Sequence, residues 1–133
     1  MEWKMMSMGE VIDKLTILKV KCDKLSGENY EMAKIQHDFI LDGLEKYTKE
    51  YPMDTTDKLK LIGIMFELHG NHRIQWDAED AVLSATNEVD GIKAAKLSRK
   101  YNIRRAELKK QIDVIYGETF LEVKDYASAK ELE

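Results

Sequence analysis

The sequence has few of the residues that crosslink or interrupt a chain. Its 133 residues include one cysteine, one proline and seven glycines. A single cysteine, Cys22, cannot form an internal disulfide, which excludes a disulfide-stapled secreted domain and a cysteine-rich zinc finger. The single proline, Pro52, leaves little of the chain for loops, because proline is the residue that interrupts helices most strongly. We therefore expect a reducing compartment and long elements.

Long apolar runs are also missing. The longest stretch without a charged residue is residues 81–87, far shorter than the ~18 residues that a membrane span needs. The opening residues MEWKMM place an acid and a base ahead of any apolar run, so we expect no signal peptide. These features predict a cytoplasmic protein with no membrane contact.

Positive charge is not in excess. The chain has 21 basic and 25 acidic residues and a net charge of −4, so we do not expect it to bind nucleic acid. Charged residues make up 35% and hydrophobic residues 44% of the chain. At this length, the composition predicts a single domain spanning residues 1–133 with one sizeable core.

Apolar residues recur at helical spacing in four segments, at about 7–25, 28–50, 56–86 and 92–116. Ser7 and Glu10 form an S-x-x-E capping box at the first start, and Asp54 can cap the third segment. Pro52 ends the second segment, since proline disfavours the α conformation of the residue before it.

This pattern predicts an all-α fold, an elongated antiparallel bundle of about four helices in which the third and fourth segments form a long hairpin. Residues of about 127–133 are expected to be a frayed tail. Gly63 and Gly70 weaken the third helix by ~1 kcal/mol each relative to alanine, so a local bend is expected there.

The third segment carries two seams at heptad spacing. One seam reads Ile62, Met65, His69, His72, Trp76, Glu79 and Leu83, and the other reads Leu61, Ile64, Leu68, Asn71, Gln75, Ala78, Val82 and Ala85. A helix with two seams contacts partners on two sides. At ~1.5 Å per residue, a helix of ~31 residues is ~46 Å long. This length exceeds the ~36 Å diameter of a compact domain with this number of residues. We therefore expect a coiled-coil-like homodimer or a higher homo-oligomer.

Polar residues cluster where the third and fourth segments face each other. If the turn is centred near residue 89, six side chains meet at mid-height. They are Trp76, Glu79, Asp80, Arg99, Asn102 and Arg105. In one interpretation they form a closed layer of ion pairs that sets helix register. In the other they form a ligand-binding pocket, where the arginines bind a phosphate or carboxylate and Trp76 stacks on a base or ring.

Paired carboxylates raise a metal hypothesis. Glu10 and Asp13 share one helical face, as do Asp77 and Asp80, and two such pairs could hold Mg²⁺ or Mn²⁺ as in the all-α nucleotide pyrophosphatases. The order of acids does not follow the E-x-x-E and E-x-x-D pattern of those enzymes. Lys14, four residues after Glu10, can pair with that carboxylate instead.

Histidines raise a second metal hypothesis. His69 and His72 share a seam with Glu79, and three such groups could suggest zinc. The second carboxylate-and-histidine helix of a di-metal bundle is missing, so a buried neutral histidine pair is the favoured interpretation. We expect no metal and no cofactor.

Four motifs spread along the chain together resemble a known pattern. They are G-E-x-I-D-K-x-T-I-L at residues 9–18, W-x-x-E-D at 76–80, N-x-R-R-A-x-L-K at 102–109 and E-x-K-x-Y at 122–126. The set is similar to a small family of bacterial and phage proteins of unknown function, and residues 28–60 match poorly. The resemblance implies a helical, soluble, single-domain protein. It offers no catalytic residues to carry over, and it favours the six mid-height residues as the site.

The patterns predict a non-enzymatic interaction or regulatory module that works as an oligomer. No glycine-rich phosphate loop and no Ser/His/Asp arrangement is present in the sequence. One alternative is a binder of a small anionic ligand, such as a nucleotide. The other is a hydrolase that depends on Mg²⁺ or Mn²⁺ and resembles the nucleotide pyrophosphatases.

Overall fold

Four helices account for nearly all of residues 6–118, the part of the chain that the computed structural model describes. They are α1 (Met8–Lys24), α2 (Gly27–Glu50), α3 (Thr55–Ser84) and α4 (Glu88–Ile115). Within these residues there is no strand, so the predicted all-α fold is confirmed. The predicted tail at residues 127–133 and the motif at 122–126 lie outside the described residues.

Side-chain caps set the helix starts. Ser7 Oγ accepts a hydrogen bond from the Glu10 amide at 3.2 Å, and Asp54 Oδ1 accepts one from the Asp57 amide at 2.8 Å. Both caps satisfy an amide that has no partner within its own helix. The predicted starts of the first and third helices are therefore confirmed to within one residue.

The fourth helix begins four residues before the predicted position. Asn87 Oδ1 accepts a hydrogen bond from the Asp90 amide at 2.9 Å, so Asn87 is the N-cap and Glu88 opens the helix. Glu88 and Asp90 then lie in the first turn, where negative charge is favoured by the helix dipole. The turn after α3 is consequently only residues 85–87, and Gly91 is helical.

The longest helices form an antiparallel hairpin. The 30 residues of α3 span ~45 Å at ~1.5 Å per residue, and the helix continues through Gly63 and Gly70. Arg104 Nε contacts Glu67 Oε2 at 2.5 Å, and the Asn71 side chain donates to the Tyr101 carbonyl at 2.8 Å. These contacts set the register so that facing residue numbers add to about 172.

Helix α1 packs on both helices of this hairpin, and α2 packs on α1. The core is formed by apolar side chains of α1, α3 and α4, with α2 contributing Ala33 and Ile40. Leu68 is fully buried at its centre. The predicted seam that contains Leu68 therefore faces the chain's own helices.

A close backbone approach joins α1 to α4. The Gly9 amide donates to Asp113 Oδ1 at 2.7 Å, and a Cβ atom at Gly9 would lie 2.4 Å from the Lys109 carbonyl oxygen. Only glycine fits at this distance. The carboxylate of Asp113 thus accepts from a first-turn amide of α1, which would otherwise lack a partner. Of the four helices described, none has the length and apolar character that crossing a bilayer requires.

Candidate functional site

A buried ion network joins three helices at mid-height. Arg105 of α4 donates from Nε to Asp13 Oδ1 at 2.9 Å and from Nη2 to Asp13 Oδ2 at 2.6 Å. His72 of α3 places Nε2 2.9 Å from the same Oδ1. The side chains of Asp13 and His72 are 3% and 0% exposed. The network is therefore a bidentate arginine–carboxylate pair with a histidine on its buried side.

Local sequence explains why these groups meet. Asp13 follows Ile12 on the buried face of α1, and His72 follows Asn71 on the buried face of α3. Arg105 comes from α4, one helical turn before the buried Leu108. A charged carboxylate in this position would be costly alone, and the arginine and histidine compensate it.

Hydrogen bonds and opposite charges keep Asp13 and Arg105 ionised. Burial by itself raises the pKa of Asp13, but the hydrogen bonds from His72 and Arg105 outweigh burial and leave that pKa below its ordinary value. The hydrogen bond to Asp13 raises the pKa of Arg105, with smaller contributions from Glu10 and Glu79. Asp13 is thus an ionised carboxylate at neutral pH.

A small cavity of about 60 Å³ opens beside this network. Its lining residues come from all three helices of the network: Ile17, His72, Gln75, Trp76, Glu79 and Arg105. His72 Nδ1 and Gln75 Oε1 are buried and have no hydrogen-bond partner among the described residues. Such groups normally have a partner, so their position beside a cavity marks this place as a candidate site.

The structure brings together three of the six residues predicted from sequence. Trp76, Glu79 and Arg105 line the cavity, and Asn102 reaches its edge because its Oδ1 accepts from Gln75 Nε2 at 3.4 Å. Asp80 and Arg99 are exposed and do not line it. The carboxylate partner of Arg105 is Asp13 of α1, whereas the sequence interpretation looked for it on the third helix.

Sequence reasoning did not place Asp13, His72 or Gln75 in this network. The sequence pattern instead pairs Asp13 with Glu10 in a possible metal site. Asp13 shares the buried face of the first helix with Gly9, Ile12 and Thr16, and only Ile12 among these is a large apolar residue, so the sequence pattern does not mark this face as buried. An acid on a buried face requires a cation from a neighbouring helix.

The paired carboxylates have cationic partners of their own. Lys109 Nζ lies 2.6 Å from Glu10 Oε1, and Lys24 Nζ lies 3.2 Å from Asp77 Oδ1. Glu10 therefore pairs across helices with Lys109, whereas the sequence interpretation paired it with Lys14. Across residues 6–118, no group of three or more histidine, cysteine, aspartate or glutamate residues is placed to hold a metal ion.

The two histidines of the predicted pair line different sites. His72 lines the cavity beside Asp13, while His69 lines a separate apolar groove with Leu15, Met65 and Phe66. Burial lowers the pKa of His69, and the nearby Arg73 lowers it further.

A second candidate surface lies on the solvent side of α3. Four residues at 4-3-4 spacing, Leu59, Gly63, Phe66 and Gly70, form a stripe that we call the outer seam. Leu59 is 65% and Phe66 77% exposed, and a Cβ atom at either glycine would meet nothing within 4 Å. This stripe is distinct from both predicted seams, whose central parts are covered by the chain's own helices.

The outer seam borders a shallow depression between α3 and α4. The depression has a volume of about 670 Å³, and its apolar lining includes Leu59, Gly63, Ile64, Val114 and Ile115. Phe66 lies one helical turn further along α3 and lines the separate apolar groove that includes Leu15 and Met65. The surface therefore combines an exposed aromatic side chain with an apolar hollow.

Neither the network nor the outer seam can be assigned by comparison, because no family model, no curated protein and no solved structure matches this chain.

Proposed function

We propose that this chain is a non-enzymatic interaction module that works as a homodimer formed through the outer seam. The proposal rests on the alternation of large side chains with glycines along that seam. Leu59 and Phe66 project from the surface, and Gly63 and Gly70 leave open space between them.

This alternation is self-complementary. If a second copy of α3 lies antiparallel so that facing residue numbers add to 129, Phe66 of each copy faces Gly63 of the other. Leu59 then faces Gly70. Every large side chain meets a glycine, which is the knobs-into-holes arrangement that lets two helices approach closely. A two-fold dimer requires such a self-matching patch.

The depression supplies the space for the aromatic ring. Gly63 is part of its lining, together with Leu59 and Val114, so a ring centred over Gly63 would be covered by apolar groups from two helices. Burying an exposed phenylalanine contributes about 1.5–3 kcal/mol, and a symmetric dimer buries two. Three exposed apolar side chains lie at this surface: Leu59, Phe66 and Val114.

The energetic cost of Gly63 and Gly70 within a helix supports the same conclusion. Each costs about 1 kcal/mol within a helix relative to alanine. Neither glycine of the outer seam makes room for any part of its own chain, unlike Gly9, which lies against α4. Close approach by a second chain gives these positions a physical reason.

The polar network fits a module better than an open anion pocket. Both oxygens of Asp13 are taken by Arg105, and that arginine is the cation of the cavity. An anion there would compete with a buried carboxylate for the same guanidinium. The network instead ties α1 to the α3–α4 hairpin.

Molar mass in solution tests the proposal. We expect the 15.5-kDa chain to have twice that mass by light scattering at micromolar concentration. Gly63→Leu fills the hollow but replaces glycine with a better helix former, so it should give a monomer with unchanged or greater helicity. Phe66→Glu should also give a monomer, because it would bury an unpaired charge.

Leu83→Glu is the matched control. Leu83 lies on the same helix and is 86% exposed, about 36 Å from Leu59 along the axis. This variant should remain dimeric. A monomeric parent protein, or a Gly63→Leu variant that stays dimeric, would rule out association through the outer seam.

A further inference from the structure

The cavity beside the buried network offers hydrogen-bond acceptors. Besides His72 Nε2, which lies against Asp13, the unpartnered buried atoms of its lining residues are His72 Nδ1 and Gln75 Oε1. The Gln75 oxygen can only accept, and its amide nitrogen already donates to Asn102. Glu79 adds a carboxylate to the lining, and a carboxylate also only accepts.

The contact with the Asp13 carboxylate bears on which ring nitrogen of His72 carries the proton. Nε2 lies 2.9 Å from Asp13 Oδ1, so a ring proton on Nε2 would face that carboxylate. In the neutral ring, Nδ1 then carries a lone pair.

The remaining charge at the cavity is negative. Asp13 and Arg105 cancel each other, and Glu10 is paired with Lys109. Glu79 is left at the mouth, because no described ion pair includes it. One positive charge would therefore neutralise the site, and Trp76, whose side chain can contact a cation, is among the lining residues.

Size limits the occupant. A volume of about 60 Å³ corresponds to about four to six water-sized groups, since one water needs roughly 10–15 Å³ by the same kind of measure. A nucleotide or a sugar phosphate is much too large. A primary ammonium head with its first carbon fits.

We propose that this cavity binds a primary ammonium group. Three N–H donors of R–NH₃⁺ match three acceptors: His72 Nδ1, Gln75 Oε1 and the Glu79 carboxylate. Ile17 and Trp76 enclose the adjoining carbon. The sequence predicts a pocket for an anion, whereas this cavity would bind a cation. The difference arises because Arg105, the expected anion ligand, is paired with Asp13.

Nitrogen-15 NMR of the His72 ring tests the proposal directly. In a buffer without primary amines, the parent protein should show Nε2 protonated and Nδ1 unprotonated. Adding methylammonium chloride should shift the Nδ1 resonance in a saturable way. Tetramethylammonium chloride, which has the same charge but no N–H donor, should leave it in place, as should sodium chloride at equal ionic strength.

Two variants separate a specific site from general electrostatics. Glu79→Gln should weaken methylammonium binding at least about tenfold, because a charge-assisted hydrogen bond is lost. Asp80→Asn removes the same charge from the next residue, which is exposed and does not line the cavity. The affinity for methylammonium should therefore be unchanged. Both positions are exposed, so circular dichroism should show the fold intact in both variants.

Two further ligands identify the source of the ammonium group. Methylammonium binding alone would assign the cavity to a small free amine, and additional binding of Nα-acetyl-lysine amide would extend it to a lysine side chain. An Nδ1 resonance that responds to neither ligand, or equally to tetramethylammonium, would show that the cavity does not recognise N–H donors and would overturn the proposal.

Discussion

Asp13 is the residue whose environment departs furthest from that of a surface carboxylate. It is 2% exposed, and Arg105 and His72 both contact it. Removing one partner of a buried ion pair costs more than the pair itself contributes, since the other charge is left without compensation. Substituting individual residues of the network should therefore change the free energy of unfolding.

Arg105→Ala should lower the free energy of unfolding by about 3 kcal/mol, near the low end of the range for broken buried pairs, because the Arg105 side chain is 30% exposed. Arg99→Ala, which removes an exposed arginine from the same helix, should change it by less than about 0.5 kcal/mol. Urea denaturation of both variants measures the difference. Equal stability of Arg105→Ala and the parent would show that the network does not stabilise the fold.

The lowered pKa of Asp13 predicts a pH dependence with a definite sign. The folded protein binds this proton less readily than the unfolded chain, whose carboxyl has its ordinary pKa of 3.8. The stabilisation is therefore complete above that value and is lost as pH falls through the lower, folded pKa.

The comparison of Asp13→Asn with the parent isolates this contribution. The variant should be less stable at pH 7, and the gap in unfolding free energy should narrow as pH falls below about 4. Denaturation in urea at pH 7, 5, 4 and 3 measures the gap. A gap that is constant across this series would contradict the assignment of the charge to Asp13.

At the scale of elements, the join between α1 and α4 depends on the absence of a side chain. Gly9→Ala would place a methyl group 2.4 Å from the Lys109 carbonyl oxygen and 2.7 Å from Asp113 Oδ1. Because the first obstacle is backbone, α1 must move away from α4. We expect a loss of about 1–3 kcal/mol in unfolding free energy.

Gly91→Ala is the matched comparison, since that glycine is also helical and its added Cβ would make only an ordinary contact at 3.6 Å. Replacing it should stabilise the protein by up to about 1 kcal/mol. Thermal unfolding should thus move in opposite directions for the two variants. A shift in the same direction for both would show that α1 does not lie against α4 as described.

At the scale of the whole molecule, dimerisation through the outer seam should couple stability to concentration. A dimer that dissociates on unfolding becomes more stable as protein concentration rises, by mass action. The melting temperature of the parent should therefore rise between micromolar and hundred-micromolar protein, and that of Gly63→Leu should not. A melting temperature that is independent of concentration in the parent would indicate a monomer.

The sequence by itself determined the helical class and most helix ends. Local signals carry that information: Ser7 and Asp54 cap amides in their own first turns, and Pro52 stops a helix by its own ring. The start of the last helix was predicted four residues late, since residues 87–91 were read as a turn. Asn87 is in fact a cap, and a capping asparagine and a turn asparagine look alike in sequence.

Tertiary structure alone decided which charges meet and which seam is exposed. Arg105 contacts a carboxylate 92 positions away in the chain, and no spacing rule within one helix or one hairpin reaches that far. Likewise, α1 covers the middle of one predicted seam of α3, so the free stripe is the one with Leu59 and Phe66. Helical periodicity tells which residues share a face, but the packing of the other helices determines which face remains uncovered.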